Sequence, residues 1–363
     1  MKQDYFQPPR PDVDFVRSRL LEEIKRLGLV QFNQLMRWLP VNDRTLEAGL
    51  LQLMSDGSVV ASSKGYKAKN AQDSNLLVSR ECDTCAGRGV ATCDEAKEIY
   101  SEYISICKSA PMYSYSLNQR PVTLDTAWHR ALFALRPGVS SLPRVVTLIG
   151  DDDLTSLALA LQAPEIKVQV LEADERLVSF INYCAQERNL NCLTATVYNA
   201  RDPIPDGLIG KSDLAICDPS SSLFDLFLSR CIDLCRRDGQ GQIMTFAYPT
   251  YLGRDLSLQQ KVTQMGLMID ALLPGFNRYH LHDIDISDSR PVVPRNGKEE
   301  TVAFVEALMQ LRVTDEAKPL VDGVCTLSDE ELYGEKAAQR ILDQNNDPAE
   351  HQNVRKVSST ARS

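Results

Sequence analysis

Residues 143–174 read PRVVTLIGDDDLTSLALALQAPEIKVQVLEAD. The run 143–150 is continuously apolar up to Gly150, the pattern of a strand covered on both faces. Three aspartates follow, Asp151, Asp152 and Asp153, and a helical spacing of apolar residues starts near Leu154. A second apolar strand, 167–174, closes on Glu172, Ala173 and Asp174. Strand, turn, helix, strand is the repeating unit of a parallel sheet, because parallel neighbours need a crossover connection.

Working outward, the alternation continues. Residues 175–189 carry a helical pattern, 194–200 and 212–220 read as strands, 222–237 as a helix and 241–249 as a strand. Residues 256–275, LSLQQKVTQMGLMIDALLPG, are expected to form another helix, and 301–309, TVAFVEALM, a late strand. The expected class is α/β, a Rossmann-like parallel-sheet domain with helices on both faces, of the class I methyltransferase and spermidine-synthase kind. Ligands bind such sheets at the carboxyl ends of the strands.

Toward the N-terminus the pattern becomes helical. Residues 13–28 and 29–40 predict two helices, the first stopped by Gly28 and the second by Pro40. A third, after Asn42 or Asp43 as cap, stops at Gly57, and 58–69 predicts a two-stranded wing. That is a winged-helix layout. Residues 1–80 hold 12 Lys/Arg against 9 Asp/Glu, and the remainder 28 against 40. So small a basic surplus favours a packing or dimerisation role over a DNA reader. The expected organisation is a winged-helix-like domain at 1–79, a connecting segment at 80–142, the Rossmann-like catalytic domain at 143–330 and a flexible tail at 331–363.

The connecting segment contains ECDTCAGRGVATC, with Cys82 and Cys85 as a CxxC and Cys93 beyond it. Structural zinc takes four ligands, and the second close pair is missing, so a tight turn with thiols is expected and no metal. The net charge of −9 argues against broad nucleic-acid binding and suits a cationic small molecule. No apolar run approaches the roughly 18 residues a membrane span needs, and the first residues have acids and prolines in place of a signal peptide's apolar core. A cytoplasmic protein is expected.

The chemistry concentrates at strand ends. A dinucleotide fold would place glycines after Gly150 to cradle a pyrophosphate; three carboxylates repel one. The competing reading is capping by Asp152 or Asp153 of the helix that follows, which accounts for one or two of the acids. Glu172 or Asp174 is placed to hold a ribose, the other to cap. Asn199 and Ala200, at the third strand end, face where an adenine amine would lie. Asp218, before Pro219 and Ser220, closes the fourth strand in a common catalytic position; its competing reading is a simple turn before proline. The ordered set fits an S-adenosyl ligand with a sulfonium beside carboxylates.

The residues GDDDL at 150–154, LEADERLVSFI at 171–181, RDPIP at 201–205, CDPSSSLFDLFLSRCI at 217–232 and PGFNRYHLHDI at 274–284 resemble the branched-chain polyamine synthases, or bis(aminopropyl)spermidine synthases. ECDTCAGRG and the stretch 115–126 also resemble that family. The resemblance implies an aminopropyltransferase that moves an aminopropyl group from decarboxylated S-adenosylmethionine, a co-substrate and not a permanent cofactor, to a polyamine such as spermidine. It also implies a homodimer through the winged-helix-like domain. Asp152 is the expected proton acceptor and Asp218 the second candidate. Asp151 and Asp153 are expected to hold cationic nitrogens, with Pro219, Ser220 and Gln119 lining the acceptor side and Gly150, Glu172, Asp174, Asn199 and Ala200 the donor side. The chain departs from the family at Ser220, Ser221 and Ser222, where an aromatic is usual, and at Asn118 and Asn199, where aspartates are usual. These changes imply a shorter or less charged acceptor. Two other functions fit parts of the pattern: an S-adenosylmethionine methyltransferase, whose donor carboxylate the aspartates would repel, and a winged-helix regulator that senses polyamine.

Overall fold

The structure, a computed structural model, describes residues 13–39, 43–69, 82, 84–85, 87–114, 117, 119–120, 122–136, 143–220, 222–247, 252–280 and 302–328. Asn42, Asn118, Ser221 and the expected tail at 331–363 lie outside them.

Three helices, α1 (Val13–Leu27), α2 (Phe32–Trp38) and α3 (Asp43–Ser55), precede a hairpin of β1 (Val59–Ser62) and β2 (Gly65–Ala68). Gly28 and Gly57 adopt φ of +78° and +76° after α1 and α3, the left-handed geometry that ends a helix cheaply only at glycine. Gly65 is fixed by space as well: a Cβ there would stand 2.5 Å from the carbonyl oxygen of Val30. Leu20, Ile24, Leu35, Leu46, Leu50, Leu53 and Tyr66 form the core of this unit, and Val305 of the main sheet packs into it.

The main sheet has seven strands in the order β5-β4-β3-β6-β7-β9-β8. These are β3 (Val145–Ile149), β4 (Lys167–Glu172), β5 (Leu193–Val197), β6 (Leu214–Cys217), β7 (Gln242–Ala247), β8 (Leu267–His280) and β9 (Val302–Val313). The first five pair in parallel; β9 enters antiparallel between β7 and β8. Helices α6 (Thr155–Gln162), α7 (Glu175–Glu187), α8 (Phe224–Leu234) and α9 (Leu252–Gln264) provide crossovers. Two apolar clusters, one on each side of the sheet, form the core.

Two expectations are corrected. Residues 256–275 are not one helix. Helix α9 stops at Gln264, Gly266 takes φ +71° against the backbone of Glu316, and β8 starts at Leu267. The apolar run LMIDALL fits either period, and pairing with β9 selects the strand. The segment 80–142 is also more than a connection. It forms α4 (Lys97–Cys107) and α5 (Leu124–Ala134), whose Tyr103, Trp128 and Phe133 are buried in the sheet's core.

Candidate active site

The strand order reverses at β3, so connections leave on opposite faces and open a crevice above the carboxyl ends of β3 and β6. Gly150 and Asp151 to Asp153 follow β3, Glu172 and Asp174 end or follow β4, Asn199 and Ala200 follow β5, and Asp218 to Ser220 follow β6. Gly150 has φ +78°. Leu154, buried, holds φ 59° and ψ 32°, a left-handed conformation that costs a leucine on the order of 1–3 kcal/mol and is tolerated where the surroundings enforce it.

The three aspartates do different things. Asp151 accepts from the backbone N–H of Ser156 at 3.1 Å and from the Ser156 hydroxyl. Asp153 accepts from the backbone N–H of Thr155 at 3.0 Å and its hydroxyl at 2.6 Å, and pairs with Arg130 through its other oxygen. Both acids therefore cap α6. Burial, then the charge of Asp153, pushes the Asp151 carboxyl well above its ordinary range. These two acids, expected to hold substrate nitrogens, thus each accept from donors of the chain itself.

Asp152 is different. It is half-buried, accepts the backbone N–H of Arg120 at 2.9 Å, and forms no ion pair among the described residues. Burial, then the charges of Asp153, Glu172 and Asp218, raise its carboxyl well above the usual carboxylate range, with Arg130 opposing. An acid in such a field takes up a proton, or recovers its charge when a cation arrives. Capping was expected of Asp152 or Asp153; Asp151 takes the place of Asp152.

At the end of β4, Asp174 is the cap. It accepts the backbone N–H of Arg176 at 3.0 Å, pairs with the Arg176 guanidinium, and takes a bond from Gln119 at 3.1 Å. Gln119 is buried and its oxygen accepts from the backbone of Ser114 at 2.6 Å, so it ties its segment to Asp174. Glu172 accepts the backbone N–H groups of Asp151 and Asp174 at 2.8 and 2.9 Å, which fixes its carboxyl at the crevice. Asn199 is exposed and closes a turn onto the N–H of Arg201, while the carbonyl of Ala200 receives Arg230. Pro219 is buried, and the Ser220 hydroxyl lies 3.2 Å from that of Ser222.

Asp218 leads to residues the linear pattern missed. Arg130 of α5 bridges it to Asp153, with its guanidinium carbon 3.9 Å from the centre of the Phe246 ring and its Nε donating to Asn277 at 3.1 Å. Tyr279 donates toward Asp218 at 2.8 Å and lies 2.5 Å from Glu306. Burial raises the Asp218 carboxyl, and Arg130 counteracts it. Signals existed: Arg130 is a charge on an otherwise buried helix face, Glu306 an acid inside an apolar strand, and Asn277 and Tyr279 lie in the 274–284 segment.

Cys82 and Cys93 are exposed free thiols and Cys85 a half-buried one. Among the described residues, no three His, Cys, Asp or Glu side chains are grouped to hold a metal.

A family model for the branched-chain polyamine synthase A C-terminal domain matches residues 98–339, more than half of the sequence. The chain belongs to this family. An N(4)-bis(aminopropyl)spermidine synthase of Thermococcus kodakarensis is 27% identical over 229 residues, 62% of this chain and 64% of that one. Its counterpart in Thermus thermophilus is 28% identical over 236 residues, 64% and 68% of the two chains. An uncharacterized protein of Methanocaldococcus jannaschii is 30% identical over 212 residues, 57% of this chain and 52% of that one. The chain thus spans between half and a little over two thirds of these curated relatives. A crystal structure of the branched-chain polyamine synthase C9 mutein of Thermus thermophilus, in complex with N4-aminopropylspermidine and 5'-methylthioadenosine, shares the fold. Its TM-score is 0.68 at 21% identity, covering 90% of this chain and 96% of that one. The family match takes in α4 and α5, in keeping with their place in the core.

Proposed function

We propose that this protein transfers an aminopropyl group from decarboxylated S-adenosylmethionine to a polyamine nitrogen of the spermidine type, giving a branched product. The observation that carries the reading is Asp152: a half-buried acid at the switch point, without an ion-pair partner among the described residues, in a field of other acids. Such a carboxylate is stabilised by an incoming ammonium or sulfonium and has no affinity for a phosphate. The relatives' names point to the same chemistry.

In this reading the donor's ribose lies against Glu172 and its adenine near Asn199 and Ala200. The acceptor nitrogen's lone pair forms the new bond to the propyl carbon next to sulfur. The carbon–sulfur bond breaks, sulfur keeps the electron pair, and a neutral 5'-methylthioadenosine leaves. The alkylated nitrogen gives its proton to Asp152, with Asp218 as the second acceptor. Holding nitrogen, carbon and sulfur in line supplies on the order of 7–11 kcal/mol, and the base a further ~10²- to 10⁴-fold. Ser220 to Ser222 and Asn199 favour a shorter or less charged acceptor than the family's usual one. The N-terminal helices and hairpin are read as a winged-helix-like unit that pairs two copies; Val305 in their core ties that unit to the sheet and suits a packing role.

The test is Asp152→Asn, assayed by mass spectrometry with decarboxylated S-adenosylmethionine and spermidine. Turnover is expected to fall by about 10²- to 10⁴-fold; near-normal turnover overturns the assignment. Binding should also favour the decarboxylated donor over S-adenosylmethionine, and the reverse order would point to methyl transfer.

A further inference from the structure

Behind Asp218 a tyrosine hydroxyl stands between two carboxyl groups. Tyr279 Oη lies 2.9 and 2.8 Å from the two oxygens of Asp218 and 2.5 Å from Glu306 Oε2. Asn277 Nδ2, which can only donate, approaches the same oxygen at 3.2 Å. A hydroxyl carries one proton and an ionised carboxylate none, so Tyr279 can donate to one of the two acids and not to both. The other close oxygen pair needs a proton of its own, and one of the two acids must supply it.

Arg130 decides which. Its Nη2 pairs with Asp218 and favours charge there. Glu306 is 8% exposed and forms no ion pair among the described residues. The proton therefore resides on Glu306. We infer that Glu306 is a proton-holding positioning residue: protonated, it donates to Tyr279, whose hydroxyl then donates to Asp218, and on ionising it draws the tyrosine proton away from Asp218. The proton count stands on geometry alone; its catalytic consequence rests on the proposed aminopropyl transfer.

The charged and titratable groups around Glu306 are Asp218 from the turn after β6, Tyr279 from β8 and Arg130 from α5, with Asp153 behind Arg130. Burial, then the charge of Asp218, raises Glu306 to about 8, while the Tyr279 bond and Arg130 pull the other way. With Glu306 protonated, Asp218 keeps a donor and is a weaker base. With Glu306 ionised, Asp218 loses that donor and accepts a substrate proton more readily.

Glu306→Gln tests this, because the carboxamide keeps the size and donates to Tyr279 at every pH. The first readout needs no substrate. A carboxyl whose folded-state value lies above its unfolded value of roughly 4.3 binds more protons when folded, so its stabilisation is full below that value and is lost as pH rises toward the folded one. The wild type should therefore lose melting temperature between about pH 5 and pH 8 relative to the variant, by a few degrees. Parallel melting curves at all pH values overturn the proton assignment. The second readout is activity: kcat of the wild type should rise through an ionisation near 8 that the variant lacks, with the donor KM unchanged. An unaltered pH profile overturns the positioning role. Should Glu306→Gln fail to fold, Glu306→Leu takes its place in the melting series: the loss of melting temperature with rising pH seen in the wild type should be absent from it, and its persistence overturns the inference. A wild type without aminopropyl transfer but with the expected melting shift would refute the proposed function and leave the proton assignment standing.

Discussion

Asp152 and Asp153 are neighbours in sequence and opposites in physics. Asp153 is paired with Arg130 and caps α6, so its removal leaves a buried guanidinium short of a partner and two Thr155 donors without their acceptor. Breaking a buried pair costs about 3–5 kcal/mol. Asp153→Asn should lower the unfolding free energy in urea by about that much. Asp152→Asn should do the reverse in sign. Burial and neighbouring acids raise the Asp152 carboxyl, so the wild type loses stability from this residue as pH rises past the ordinary aspartate range. At neutral pH the amide should be as stable as the wild type or more so, while turnover falls. Urea curves of the two variants, side by side, check both; equal destabilisation would mean that Asp152 is structural too. This contrast also marks what a sequence can carry. GDDDL announces a concentration of charge, but which acid faces the crevice depends on Ser156, Thr155 and Arg130, and Arg130 is 23 residues away from Asp153 along the chain.

At the scale of elements, the strands β3 to β7 are legible because each is a short apolar run closed by Gly150, Glu172, Tyr198, Asp218 or Ala247. Helix α9 and strand β8 are not separable by apolar period; only Gly266 and the partner β9 divide them. The clamp around the end of β5 has no local signal either. Arg230 of α8 donates to the carbonyls of Ala200, Arg201, Val321 and Gly323, while the N–H of Cys325 donates to Arg201. One buried guanidinium thus fixes the turn after β5 to the segment that follows β9. Arg230→Met should release both. Amide exchange in residues 320–325 should speed up, and the donor KM should rise about tenfold with kcat largely kept, since the turn lies on the proposed adenine side. Arg230→Lys should recover little, because an ammonium cannot span four carbonyls from one plane. A donor KM unchanged in Arg230→Met would detach this clamp from ligand binding.

Across the whole molecule the charge is unevenly divided: a surplus of three basic residues up to residue 80, and 40 acids against 28 bases beyond it. The acids of the crevice sit within the second part, and among the described residues Arg130 and Arg176 offset them by ion pairs. Such a field raises the local concentration of polycations and speeds their encounter, and salt screens it over a Debye length of about 8–10 Å. The proton on Glu306 weakens the field before a ligand arrives, and the attraction grows with pH as that acid ionises. Two outcomes follow for spermidine as acceptor. Raising NaCl from about 0.05 to 0.5 M should lower kcat/KM by roughly tenfold, while kcat at saturation changes little, because screening acts on the approach and not on the dry site. The salt slope should also be steeper at pH 9 than at pH 7, as Glu306 ionises. Steady-state rates over a grid of salt and pH check both, and a slope that ignores pH would place the attracting charge outside the crevice.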